Sequence, residues 1–210
     1  MGLSSKYRRA SKNLHETVVK LVKQYSPKTI IDLGSGNGGI PLLLHREGFN
    51  ITATDSNPKI NEAADEIPCE QMDLNKPLKL NKKYDMVICT EVIEHLYNSK
   101  KLFSDAHKLL NKNGIFIFST PNNQNWFGRL FFLFTGKFPT FQGRPHEMKR
   151  SWFEPHITPI FVWQVRLLIR NLFKIERITF NRSVLPLLHI NLPFKNLFFG
   201  QNLIMVLKKK

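Results

Sequence analysis

The chain has 210 residues, 42% of them hydrophobic, so it can bury a full core, and a single domain over residues 1–210 is the natural count. Its formal charge is +15, from 31 basic and 16 acidic side chains, which points to anionic partners for part of the surface. Two cysteines, Cys69 and Cys89, form no C-x-x-C pair and read as small, buried, reduced apolar residues. There is no secretory pattern at the N-terminus and no uncharged apolar run of about 18 residues, so a cytoplasmic protein without a spanning helix is expected.

In chain order, residues 1–27 carry an amphipathic helix near Ser5 to Gln24, with Leu14, Val18, Leu21 and Val22 on one face. Residues 28–121 alternate between strands near 29–33, 50–54, 68–72, 84–89 and 113–119 and helices near 39–47, 57–65 and 99–111. Such alternation predicts an α/β fold, a parallel sheet with helices on both faces. Asn113-Gly114 reads as a turn before the fifth strand. After a long segment at 122–159, residues 160–210 hold a helix at 160–171 and strands near 174–181 and 201–208.

The stretch from Ile30 to Asp55, IIDLGSGNGGIPLLLHREGFNITATD, has the order strand, glycine loop, helix, strand, carboxylate. Gly34, Gly36 and Gly38 allow a tight turn and close approach of a ligand. The helix beginning near Gly39 directs its free N–H groups toward that loop. Gly34, Gly36 and Gly39 also satisfy G-x-G-x-x-G, which admits a dinucleotide. Asp32, two residues ahead of the first glycine, argues otherwise: it would repel a pyrophosphate and welcome a cation, as on the sulfonium and ammonium of S-adenosylmethionine.

Taken together, DLGSGNG, TATDSNP, MDLN at Met72 to Asn75, and YDMVICTEVIEHL at Tyr84 to Leu96 resemble the ordered motifs of class I S-adenosylmethionine-dependent methyltransferases. The likeness covers roughly Thr29 to Asn122 and is strongest toward ubiquinone-type O-methyltransferases and relatives of unassigned substrate. It implies a Rossmann-like, doubly wound, mostly parallel seven-stranded sheet, with a lid inserted after strand 5 and the last two strands forming an antiparallel hairpin at the sheet edge. It also implies that Asp32, Gly34, Ser35, Gly36 and Gly38 line the methionyl end of the cofactor. Asp55 with Ser56 would meet the ribose, Asp73 with Leu74 the adenine, and Thr90 with Glu91 would close the pocket.

Transfer to an oxygen further requires a general base or a metal. In TEVIEHL, a helical turn would set Glu91, Glu94 and His95 on one face, an oxygen and nitrogen set for Mg²⁺ or a similar ion. The pattern E-x-x-E-H with a later histidine resembles metal-dependent members of the family; the later histidine is His156 in FEPHITP or else His146. On this reading His95 and His156 are the catalytic candidates. The plainer alternative has Glu91 closing the cofactor pocket, Glu94 capping a helix and His95 packing. Trp152 and Trp163, on either side of His156, read as lid core.

Charge and aromatic content are unevenly spread. Residues 121–210 hold 14 basic against 3 acidic side chains and 13 of the 17 phenylalanines. In NWFGRLFFLFTGKF, the side chains of Trp126, Phe127, Leu130, Phe131 and Phe134 fit one helical face. They either cap the active site with their rings inward or lie on an anionic membrane, with Leu185 to Phe199 adding to that surface. The expected activity is methylation of an oxygen on a small or lipid-linked metabolite, such as a quinone precursor or glycan intermediate, at the cytoplasmic face of the membrane. RNA as acceptor and a non-catalytic cofactor-binding scaffold are the rival readings.

Overall fold

In the computed structural model, residues 13–78, 82–141, 155–185, 190–193 and 195–210 are described. The expected residues 5–12 of the first helix, His146, Trp152, His189 and Phe194 lie outside them.

The first helix, α1 (Leu14–Tyr25), leads into β1 (Ile30–Leu33), α2 (Gly39–Arg46), β2 (Ile51–Asp55), β3 (Cys69–Gln71) and β4 (Tyr84–Thr90). Beyond these come α3 (Ser99–Leu109), β5 (Leu110–Pro121), α4 (Trp126–Thr135), α5 (Val162–Ile169), β6 (Phe173–Phe180), β7 (Ser183–Leu185), β8 (Ile190–Leu192) and β9 (Asn202–Lys209). Seven strands form one sheet in the order β3-β2-β1-β4-β5-β9-β6. Its first five strands are parallel; β9 lies antiparallel between β5 and β6. The last two strands do pair antiparallel as expected, but β9 enters the sheet interior and β6 takes the edge. β7 and β8 form a separate small hairpin in the connection between them.

The central strands are apolar on both sides because both faces are covered, the usual condition of a parallel sheet. Ile30, Met86, Ile88, Ile115, Ile117, Ile204 and Val206 pack under α1 and α2. The alternate residues, among them Ile31, Val87, Cys89, Phe116, Phe118, Met205 and Leu207, pack under α3 and α5. On that second face, Phe103 meets Phe118 edge to face with ring centroids 5.4 Å apart.

Three expectations change. No α-helix forms at 57–65: a single 3-10 turn covers Pro58–Ile60, and then the buried Asn61 ties up the backbone, donating to the Ile67 carbonyl at 2.7 Å and accepting from the Ala63 N–H at 3.0 Å. The Asn113-Gly114 turn lies inside β5, where the pairing register with β4 slips between Tyr84 and Met86. Cys89 is buried, whereas Cys69 is half-buried, its Sγ 3.5 Å from the Ser35 hydroxyl. The reason is position: β4 is central, and β3 is the edge strand beside the glycine loop.

Candidate active site

β1 and β2 run parallel and end side by side, so Asp32, the glycine loop and Asp55 converge at one end of the sheet. The loop is clamped onto β2, since the N–H groups of Gly34 and Ser35 both donate to the Thr54 carbonyl at 2.9 and 2.8 Å. One oxygen of Asp55 accepts the Gly36 N–H at 2.9 Å; the other accepts the Asn57 N–H at 2.9 Å and the Ser56 hydroxyl at 3.4 Å. Gly34 and Gly38 have positive φ and little room: a Cβ on Gly34 would come within 2.5 Å of Val92, and one on Gly38 within 2.2 Å of Asn61 Oδ1. That contact also places the loop after β4 directly against the glycine loop.

Asp32 is buried, and its Oδ1 has no hydrogen-bond partner. Burial, then the charge of Asp55, pushes its carboxyl up to about 8. An orphaned buried acid beside an open glycine loop fits a cationic ligand, which would supply the missing counter-charge. Asp73 sits further out, capping the Asn75 N–H at 2.9 Å and pairing with Lys76 at 3.3 Å, while Leu74 is buried. Thr90 ends β4, paired with Ser119.

Glu91 departs from its expected position as a metal ligand. The backbone at Glu91 has a positive φ, and the following Ile93–His95 turn is 3-10, so no single helical face carries Glu91, Glu94 and His95. The Glu91 carboxylate accepts from the Ser119 hydroxyl at 2.8 Å and from the Asn202 side-chain amide. Burial pushes Glu91 up to about 7 despite these two bonds. Asn202, at the start of β9, is a site partner that the sequence did not signal, because it comes 111 residues after Glu91.

The other three candidates do meet. Ligand atoms of Glu94, His95 and His156 lie within 4.8 Å of one another. They are held together by backbone: the Glu94 carbonyl accepts the N–H groups of Ile157 and Thr158 at 2.9 and 3.0 Å, and the Thr158 hydroxyl donates to the Leu96 carbonyl at 2.7 Å. His95 Nδ1 lies 3.2 Å from the Pro155 carbonyl, which can only accept, so Nδ1 carries the hydrogen and Nε2 the lone pair. Glu94 is buried, with the Thr120 hydroxyl near its carboxyl but in poor hydrogen-bond geometry; burial and then the neighbouring Glu91 raise its pKa well above the ordinary carboxylate range.

In the inserted segment, α4 forms as expected, but its rings do not all turn inward: Gly128 is its one buried residue. Asn125 caps it, accepting from the Gly128 N–H at 2.7 Å.

Strand order, the antiparallel β9 and the two acids at the ends of β1 and β2 define a Rossmann-like methyltransferase architecture. A family profile described as a methyltransferase domain matches residues 5–162, and the chain belongs to that methyltransferase family. The chain is 36% identical over 119 residues to the ubiquinone biosynthesis O-methyltransferase of Rickettsia canadensis (strain McKiel), covering 52% of this chain and 50% of that protein. It is 37% identical over 101 residues to the protein of the same name from Rickettsia prowazekii (strain Madrid E), covering 44% and 40%. The chain thus spans about half the length of these curated relatives. Among solved structures, the magnesium protoporphyrin IX methyltransferase ChlM of Synechocystis PCC 6803 with bound SAH matches with TM-score 0.65 at 17% identity, covering 98% of this chain and 91% of that one. A SAM-dependent methyltransferase from Archaeoglobus fulgidus matches with TM-score 0.65 at 16% identity, covering 93% and 94%. These two likenesses concern the fold.

Proposed function

We propose that the chain methylates an oxygen of a small or lipid-linked acceptor, with a quinone precursor or glycan intermediate as the substrate class. The observation that carries this is the trio Glu94, His95 and His156 within 4.8 Å, the first two on the loop whose Val92 abuts the glycine loop and the third on the segment bonded to it. When bound, S-adenosylmethionine supplies an activated methyl group on a sulfonium. The chain then has to position the acceptor and take its proton. His95 suits the second task, because its Nε2 holds a free lone pair while Nδ1 is fixed by the Pro155 carbonyl. The name of the Rickettsia relatives and the Phe141 ring, its centroid 5.4 Å from that of His156, support an acceptor with an apolar part.

A bound divalent ion would do related work, lowering the pKa of the acceptor hydroxyl. Two imidazoles and one carboxylate fit such an ion, and Glu94, His95 and His156 would hold it; this set suits Zn²⁺, Mn²⁺ or Fe²⁺ better than the all-oxygen preference of Mg²⁺. The test incubates the protein with labelled cofactor and a panel of catechols, quinols and sugar-lipid intermediates, before and after chelation. Label on oxygen supports the proposal, and label only on nitrogen or carbon overturns it. Loss of turnover on chelation, restored by one metal, assigns the ion; unchanged turnover leaves His95 as the base.

A further inference from the structure

Seven of the ten residues of α4 are Trp, Phe or Leu, and all but Phe132 fall on one broad face. Such a face is ordinarily covered. This one is not, since Leu133 and Phe134 are 74% and 78% exposed. Its neighbours extend the same surface. Trp163 and Leu167 of α5 are 59% and 61% exposed, and Phe198 is half-exposed. Phe198 is tied to α4 because its carbonyl accepts the Trp126 N–H at 2.8 Å and its ring lies 5.8 Å from the Arg129 guanidinium. Between α4 and α5 runs an apolar groove of about 400 Å³ that includes Phe132, Phe138 and Phe161. Exposed rings that adjoin across three separate segments are the mark of an interaction site rather than of scattered single exposures.

Its rim is cationic. Arg129, Lys137, Arg166 and Lys195 are exposed around it, and α4, α5 and the 195–201 turn contain no acidic residue. This decides between occupants. A second copy of the chain could cover the rings, but a two-fold contact would bring the same four cations together with no acid to meet them. A bilayer with anionic headgroups offers both what the rings need and what the rim needs.

We propose that α4, α5 and the turn carrying Phe198 seat the protein on an anionic lipid bilayer, rings in the acyl boundary and the four cations among the headgroups. The face has a functional direction. α4 begins five residues after β5 ends, at the same end of the sheet as Asp32 and Glu94, and Asn123 and Gln124 line the groove. Docking there holds the catalytic mouth at the lipid surface. The inference stands whether or not the acceptor is lipid-linked.

A protein of charge +15 adheres to anionic vesicles for trivial reasons, and Lys82, Lys83, Lys112 and Lys208 form a second basic surface at the opposite end of the strands. The experiment therefore compares co-sedimentation with phosphatidylglycerol-containing vesicles at physiological salt for three proteins. These are the wild type, Leu133→Ser/Phe134→Ser/Trp163→Ser, which leaves charge unchanged, and Lys112→Glu/Lys208→Glu. Binding of S-adenosylmethionine and the melting profile verify that each is folded. The proposal expects wild-type binding, a loss of about tenfold or more in the serine variant and about unchanged binding in the lysine variant. It is overturned if the wild type does not bind, if the serine variant binds as well, or if the lysine variant is the one that loses binding. A concentration-dependent dimer that the serine changes dissolve, without vesicle binding, would overturn it in favour of an interface between copies.

Discussion

His95 and His156, far apart in the chain, meet edge to face with ring centroids 4.7 Å apart. The contact is enforced by backbone rather than by the rings, because the peptide groups of Ile157 and Thr158 are both bound to the Glu94 carbonyl. The segment after the insertion is thus stitched to the loop after β4, which is how Glu94, His95 and His156 come together beside the glycine loop.

If that stitch serves catalysis, His156→Ala and His95→Ala should each lower kcat by about 10²–10⁴ while leaving cofactor affinity nearly unchanged. Thr158→Ala, which removes the hydroxyl bond to the Leu96 carbonyl, should give a smaller loss of the same kind. Steady-state kinetics beside cofactor titration calorimetry distinguish this from a folding defect, which would lower both.

If the cation of the cofactor meets Asp32, its uptake is a proton-coupled event. The Asp32 carboxyl is raised to about 8, so at pH 7 it is mostly protonated, and a cationic ligand selects the ionised form. Binding at pH 7 should release a proton, seen as a dependence of binding enthalpy on buffer ionisation, and the release should fade above pH 8. Asp32→Asn should abolish the release and cost about 2–5 kcal/mol of binding. Calorimetry in phosphate and Tris buffers at equal pH provides the check.

The raised acids also set the pH dependence of the unliganded fold. Asp32, at about 8, and Glu91, at about 7, hold protons that the unfolded chain has already lost above its ordinary values of 3.8 and 4.5. Where the folded state binds more protons, stability falls as pH rises. The melting temperature should therefore decline from pH 5 to pH 8, with Glu94, also raised by burial, adding to the decline. Asn202→Ala, which strips one donor from Glu91, should cost about 1–3 kcal/mol and steepen that decline.

Gly38 should tolerate no side chain. Its φ is +82°, where an L-residue pays about 1–2 kcal/mol, and a Cβ would also strike the side chain of Asn61 that organises the turn after β2. Gly38→Ala is expected to lower the melting temperature and weaken cofactor binding together. Gly36→Ala, with open space at its Cβ, carries the φ penalty alone and should cost less. Thermal denaturation of both variants ranks them.

Local patterns carried much of this protein. The alternation of apolar strands with amphipathic helices, the glycine loop between Asp32 and Asp55, and the residue identities of TEVIEHL are short-range features. Each reports a physical requirement met within a few positions: pleat and helix periods, room for a backbone turn, an acid at a strand end. The sheet was legible for that reason, and so was the class of ligand. Glu91 and Asn202, the placement of β9 inside the sheet, and the outward rings of α4 depend instead on what long-range folding puts next to them. Exposure and hydrogen-bond partnership belong to pairs of residues, and an apolar helix has the same sequence whether or not the core covers it; only the packed molecule shows that the rings of α4 are left exposed.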